Sequence, residues 1–583
     1  MARKILQEDP LPSTAEGLTV GQFCSFMNPR LWHKTEFLAW PPDVFALVGL
    51  LLLKSGAYCR AVSGWAHAKP RKWAQRMTTI GRRWRENLEH PPKSVQDWHQ
   101  TIVKKQHEVQ VLNIGEDNKL WDALLHLCAA ADEACRGVGF ELYFKDPDPL
   151  IVEAGYRLAF SESEFDVSTL CREIHHSIVR VLPKLHTPQS GITIRSLTHH
   201  LALCPAGDVK GRWVPQVWGE TRRQCLNLLL VPWPPQTSPA HFSSVDPRQA
   251  VLSDMPDAFG FFDYHPLEGR NDPSRAVKGL VANAREVVDR IDGVIFPELA
   301  LTPKELARIR SYLLKEKIFL ISGVREPAPR SHQGGKNYLS FDFQYPSKKY
   351  FLHFEQNKHH RWRLDKRQIV QYGLGSALDV SQPTGKGGPR YWWEHIEIGK
   401  RDLYFVPLEE WLTVCALICE DLARQDPVAE LVRAVGPNLV IAILMDGPQL
   451  PSRWPARYAT VLAEDPGSSV LTFTSLGMSE LSRPPSNQKP NRTIALWKDG
   501  KTGEAICVEL PAHKEGVVLS ISGEYENEWT ADGRQDDYST GYPTLTGMHF
   551  LSSSQIAKSV PKPTKARRTT RLSQSRRKAR GHH

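Results

Sequence analysis

The sequence lacks several signatures that would have assigned it to a common class at once. It has no CxxC pair and no regular cysteine spacing among its ten cysteines, which excludes both a zinc ribbon and a disulfide framework and points to a reducing, cytoplasmic compartment. It has no long apolar run: Val44 to Leu53, inside PPDVFALVGLLLLKSGAY, is the longest. That stretch is too short to span a bilayer and lies too far into the chain for a simple signal peptide, so it is read as a buried helix. No glycine-rich phosphate loop of the Walker type occurs, and no HExxH pair accompanies the histidine doublets at His175 and His176, His199 and His200, and His359 and His360. Nucleotide hydrolysis and a resident metal are therefore without support, and no cofactor is expected.

The folded body also lacks an excess of either charge. The 583 residues carry 74 Lys and Arg against 64 Asp and Glu, a formal net charge of +10. Ten of the basic residues fall between Lys558 and Arg580, where no acidic residue occurs, so the rest of the chain holds 64 of each sign. The segment KSVPKPTKARRTTRLSQSRRKARGHH has too few apolar residues to build a core and reads as a disordered basic tail over 558–583. Arg567, Arg568, Arg571, Arg576, Arg577, Lys578 and Arg580 would contact nucleic acid there in a salt-dependent, non-specific way, or else serve as a solubilising terminus.

Chemistry is most visible in TVCALICEDLARQDPVAELVRAVGPNLVIAIL. A short apolar strand, Val414 to Ile418, delivers Cys419 to a turn directly before a helix, whose unpaired N–H groups favour a thiolate. A buried core cysteine is the plainer alternative. Upstream, AVKGLVANAREVVDRIDGVIFPELALT runs a helix into a strand, Gly293 to Phe296, that ends in Pro297 and Glu298. A carboxylate at the tip of a buried strand needs a partner to offset its desolvation, and a nucleophile that needs a general base supplies one. Between them, YFLHFEQNKHHRW brings Lys358 to the end of another alternating run.

These stretches together resemble the nitrilase or carbon–nitrogen hydrolase superfamily. NLLLVPWP resembles its opening strand, FPELALT its glutamate motif, IFLISGVRE the next strand, LICEDL its nucleophile turn and RWPARYATVLAEDPGSSVLTFTSLG the segment that follows. The resemblance implies an α/β fold, a nitrilase-like α-β-β-α sandwich over residues 220–525, preceded by a mainly helical domain over 31–212. An arm (1–30), a carboxy-terminal extension (526–557) and the tail complete the expected plan. It implies Cys419 as nucleophile, Glu298 as general base, Lys358 as oxyanion cation and the backbone N–H of Glu420 as a second oxyanion donor. The substrate implied is a small amide or nitrile.

Two features depart from that pattern. The second glutamate that normally follows the lysine is absent from HHRWRLDKRQIVQYGLG, which offers Gln368 or Asp365 instead. The interval before Cys419 is long, and GSALDVSQPTGKGGPRYWWEHIEI reads as an inserted loop, with Trp392 and Trp393 either covering the pocket or anchoring the loop. The missing glutamate supports an alternative: a catalytically silent nitrilase-like module in a nucleic-acid-associated or prokaryotic defence assembly. Its partner there would be nucleic acid or a reverse transcriptase on a separate chain, since no YxDD motif is present. No membrane partner is expected, and the resemblance is compatible with a homo-oligomer.

In the amino-terminal half, NKLWDALLHLCAAADEACRGVGF and DVSTLCREIHHSIVRVLPKL carry apolar residues at helical spacing. KPRKWAQRMTTIGRRWRENLEHPP sets Arg71, Lys72, Arg76, Arg82, Arg83 and Arg85 beside Trp73 and Trp84, a run that could meet phosphates but reads more readily as a solvated helix face with the tryptophans turned inward.

Overall fold

A computed structural model describes residues 15–553, apart from 29–37, 61–69, 140–149, 151, 156–168, 206, 208, 215–222, 251–255, 257, 267–271, 331, 345–350, 379–388, 483–489 and 536–539. The tail arginines and Lys578 lie outside these residues.

Short apolar runs rich in Val, Ile, Leu and Phe build two seven-stranded sheets. The first runs in space through Phe351–Asn357, Lys336–Gln344, Phe319–Glu326, Gly293–Ile295, Cys225–Leu230, Gly516–Glu526 and Thr540–Leu551. The second runs through Ala505–Glu509, Thr493–Lys498, Ser469–Thr474, Leu439–Leu444, Leu412–Ile418, Asp402–Glu409 and Lys210–Trp213. Three strands at the centre of each sheet are parallel. In the second sheet these three are buried along their whole length, which is why they read as unbroken apolar runs rather than alternating ones.

The sheets face each other and helices cover their outer sides. Val277, Leu280 and Val281 of helix Pro273–Ala284 and Leu306, Ile309 and Leu313 of helix Pro303–Lys315 pack onto Leu229, Val294 and Leu320 of the first sheet. Helix Trp454–Glu464 packs on the second. Between the sheets, Phe354 lies 4.5 Å from Tyr404, and the buried Gln356 amide crosses the gap, donating to the Ala416 carbonyl at 2.8 Å and accepting from the Tyr404 N–H at 3.1 Å. The molecule is thus mixed α/β with a helix–sheet–sheet–helix core. Among the described residues, no helix is long and apolar enough to cross a membrane.

Among the described residues, helices Pro41–Ser55, Pro70–Glu86 and Lys93–Lys105 pack around the buried helix Asn118–Ala134, which starts on the Asp117 side chain as N-cap. Helix Pro41–Ser55 is the expected buried one, closed by Gly56 at φ +70°. Helix Pro70–Glu86 buries Trp73, Met77, Ile80 and Trp84 on one face while Lys72, Arg76, Arg82 and Arg83 stay exposed, so its tryptophans pack inward.

Three expectations require correction. The end of DVSTLCREIHHSIVRVLPKL is not helical: Val179–Pro183 is a strand paired antiparallel with Leu201–Pro205. Its β-branched Val179 and Val181 fit a pleated, buried strand better than a helix. The insert before Cys419 is not only loop, because its aromatic run Tyr391–Glu394 is a strand between Arg363–Leu364 and Phe259–Tyr264 in a four-stranded sheet. The sandwich also draws strands from either side of 220–525, namely Lys210–Trp213 and Thr540–Leu551.

Candidate active site

Strand ends from both sheets and the small sheet converge on one buried cluster. Gly293–Ile295 leads through Phe296 and Pro297 to Glu298, and the following Leu299 takes φ +54°, a turn few non-glycine residues adopt. The Glu298 carboxylate has no solvent exposure. Its Oε2 accepts the Met445 backbone N–H at 2.6 Å, and its Oε1 accepts the Lys358 ammonium at 2.7 Å and the Asn337 amide at 2.8 Å. Burial pushes the carboxyl above the ordinary glutamate range, and the ammonium beside it only partly opposes that.

Lys358 follows strand Phe351–Asn357, held by its backbone N–H to the Asn337 carbonyl at 2.9 Å. Its Nζ also reaches Glu394 Oε2 at 2.6 Å. Burial works against the ammonium, yet the two carboxylates outweigh it and hold the lysine charged well beyond its usual range.

Glu394, at the end of Tyr391–Glu394, is thus a second carboxylate on Lys358. It also accepts the Trp362 N–H at 3.1 Å and, through Oε1, the Asn337 amide at 2.8 Å. Asn337 thus bridges both carboxylates with one NH2 group. Neither Asp365 nor Gln368 takes part: they cap helix Lys366–Tyr372, each side chain bonding the other's backbone N–H, at 2.9 and 3.1 Å. The charge that braces Lys358 comes from 36 residues downstream. Glu394 and Asn337 were missed by sequence reasoning. The signal for Glu394 was the one used for Glu298, an isolated carboxylate ending an apolar strand, here in YWWEH; Asn337 carries no comparable mark.

Cys419 stands where strand Leu412–Ile418 meets helix Glu420–Ala423, at φ +46° and ψ −103°. That strained turn is fixed by its N–H on the Ile443 carbonyl at 2.8 Å and by its own carbonyl accepting the Leu422 N–H at 3.0 Å. The thiol is buried and held well above the usual cysteine range, first by desolvation and then by the Glu298 charge, with Lys358 opposing. At rest this side chain is a thiol rather than a thiolate. Glu420 heads the helix, so its N–H has no intrahelical acceptor.

Asp421, next in the turn, accepts the His359 N–H at 3.1 Å and the His360 ring at 2.9 Å, so it locks the loop after Lys358 onto the nucleophile turn. Both histidines hold structure there. Trp392 is buried against Gly260 in the small sheet, where a β-carbon at Gly260 would meet its ring at 2.8 Å, and Trp393 lies 6.3 Å from Phe259. Trp362, by contrast, does reach the site. Together with Glu394, Met445 and Leu299 it lines a cavity of about 250 Å³ that abuts the cluster.

No family model matches the chain, and no curated protein does. Solved structures similar to it include Nit3 of Saccharomyces cerevisiae, a member of branch 10 of the nitrilase superfamily (13% identity, 52% of this chain and 93% of that chain, TM-score 0.30). Others are an amidase from Nesterenkonia sp. (12%, 57% and 94%, TM-score 0.24) and the C. elegans NitFhit protein (12%, 52% and 62%, TM-score 0.29). Likenesses this distant carry no argument, and the site rests on its own geometry.

Proposed function

We propose that the chain is a thiol-dependent carbon–nitrogen hydrolase of the nitrilase kind, acting on a short amide. One observation carries the reading: Glu298, Lys358 and Glu394 are interlocked in a buried cluster whose charges act on Cys419, itself held in a strained strand-to-helix turn. Two carboxylates and an ammonium are costly to bury, and a reaction that uses them accounts for that cost.

The chemistry follows from the groups. Glu298 takes the Cys419 proton as sulfur attacks the amide carbon, and the carbonyl π electrons move to oxygen, where the Lys358 ammonium and the Glu420 N–H meet the oxyanion. The oxyanion then collapses, the C–N bond breaks, and protonated Glu298 gives its proton to the departing nitrogen, leaving a thioester on Cys419. Water, deprotonated by Glu298, adds to the thioester; collapse expels the thiolate, which recovers the proton from Glu298, and a carboxylic acid leaves. Glu394 keeps Lys358 charged and aimed, and Asn337 fixes both carboxylates. A silent nitrilase-like module drew part of its support from a missing second glutamate, and Glu394 supplies a second carboxylate on Lys358.

The test is direct trapping. On mixing with a short aliphatic amide and quenching in acid, the chain should gain the acyl mass on the Cys419 peptide, and hydroxylamine should release it. Cys419→Ala should show neither. An acyl adduct that persists in that variant, or turnover without any adduct and undiminished by the substitution, overturns the reading.

A further inference from the structure

The cavity beside the cluster is asymmetric in charge. At the end that meets the cluster its wall is Glu394, which shares the Lys358 ammonium with Glu298. Away from that end the lining includes Asp263, Arg325, Glu326 and Lys336, and both of these cations are already engaged. Arg325 Nη1 donates to the Leu299 and Ala300 carbonyls at 2.9 and 2.8 Å, and its Nη2 lies 3.9 Å from Glu305. Lys336 Nζ lies 3.2 Å from Glu326, which also accepts the Tyr338 hydroxyl at 3.0 Å.

Asp263 is different. Its partners are imidazoles, His395 Nδ1 at 3.2 Å and His265 Nε2 at 3.8 Å, and among the described residues no guanidinium or ammonium is paired with it. Burial favours its protonated form, but the nearby His265 and His395 imidazoles, the second hydrogen-bonded to it, outweigh that and keep the carboxyl below the ordinary aspartate range. Asp263 is thus an ionised group on the cavity wall, a quarter exposed. Beside it stand Phe262, Tyr264 and Trp362, whose ring faces attract cations. The volume of about 250 Å³ falls below the ~300–1,000 Å³ of drug-sized sites, so the ligand is short.

We infer that, on the hydrolase reading above, the substrate is a short amide bearing an ammonium or guanidinium group remote from the scissile bond, and that Asp263 is the residue that selects it. An anionic amide is excluded by the same field. Glu298 and Glu394 have a single ammonium between them, and their remaining charge repels an anion, while Lys336 is held by Glu326.

Three alkylating reagents of similar size and different charge test this on the full chain without requiring turnover: iodoacetamide, iodoacetate and 2-bromoethylammonium. The rate at Cys419, mapped by peptide mass, is divided by the rate of N-acetylcysteinamide in the same solution. Normalised in this way, iodoacetate should fall below iodoacetamide by roughly tenfold and 2-bromoethylammonium rise above it, the effect of one partly screened charge at close range. Asp263→Asn, which keeps the side-chain shape, should bring both ratios toward one, and high salt should compress them in the unsubstituted chain. Ratios near one at low salt, or ratios that Asp263→Asn leaves unchanged, overturn the inference alone. If Cys419 reacts with none of the three, the hydrolase reading fails as well.

Discussion

On the proposed hydrolase reading, Glu394 is the carboxylate that braces Lys358 beside the general base Glu298. Replacing it with Gln keeps the shape but removes one of the two charges on the lysine. Glu394→Gln should lower kcat on a short amide by about 10²-fold or more with little change in KM, since the loss falls on the developing oxyanion. Asp365→Ala is the matched control. It removes a helix cap, costs about 1 kcal/mol in urea unfolding and leaves kcat within a few-fold. If Asp365→Ala were as damaging to kcat as Glu394→Gln, the brace would be misassigned. The contrast also shows what could be read from residues. Glu298, Lys358 and Cys419 end strands that are apolar or alternating in sequence, so their placement was visible. Glu394 was hidden because its strand is four residues long and enters the site from a separate small sheet.

At the scale of elements, the site depends on how closely strands approach. Gly323, in strand Phe319–Glu326, passes beneath the Glu298 turn: a β-carbon there would lie 2.3 Å from the Pro297 carbonyl oxygen and 2.6 Å from Glu298 Cα. Both neighbours are backbone, so neither can swing aside. Gly323→Ala should cost about 1–3 kcal/mol of stability and displace the general base, and a shift near 1 Å is worth about 10²-fold in rate. Urea unfolding and steady-state kinetics on one preparation check it. A variant less stable but fully active would show that the turn is not needed to place Glu298. Elements were legible where burial dictates the pattern, as in the second sheet's central strands. They misled at Val179–Pro183, where Leu170, Ile174, Ile178 and Val181 happen to recur at helical spacing while the chain actually reverses into an antiparallel pair. Periodicity alone cannot separate a buried strand from a buried helix over so short a run.

Over the whole molecule, a buried arginine ties the amino-terminal helices to the sandwich. Arg534, from the segment between the last two strands of the first sheet, places Nη1 3.0 Å from Asp132 and 2.9 Å from Glu133 in helix Asn118–Ala134, and Nε 3.0 Å from Asp532. Asp132, Glu133 and His200 have the donor types of a cation site, but this guanidinium holds both carboxylates. Arg534→Met would leave three buried carboxylates without their shared partner, at a cost of about 3–5 kcal/mol. Its signature should be faster hydrogen exchange across helix Asn118–Ala134 together with a lower thermal midpoint; an unchanged midpoint would mean that the two halves are not coupled here. Nothing in the sequence announced this link, because its members lie some 400 residues apart, at positions 132 and 534.

The central claim is that Glu298 activates the Cys419 thiol, and the pH dependence of iodoacetamide alkylation at Cys419 tests it most directly. Because burial raises the Glu298 carboxyl, it takes up a proton at a pH above the ordinary value of 4.5. Base assistance is present above that point and is lost as pH falls through it. The rate at Cys419 should therefore be nearly flat through neutral pH and drop on the acid side, whereas an unassisted thiol slows about tenfold for each unit below its own pKa. Glu298→Gln should abolish the plateau and slow alkylation at pH 7 by about 10²-fold or more. A Cys419 that tracks hydroxide concentration in the unsubstituted chain, or that reacts equally fast in Glu298→Gln, would contradict the account.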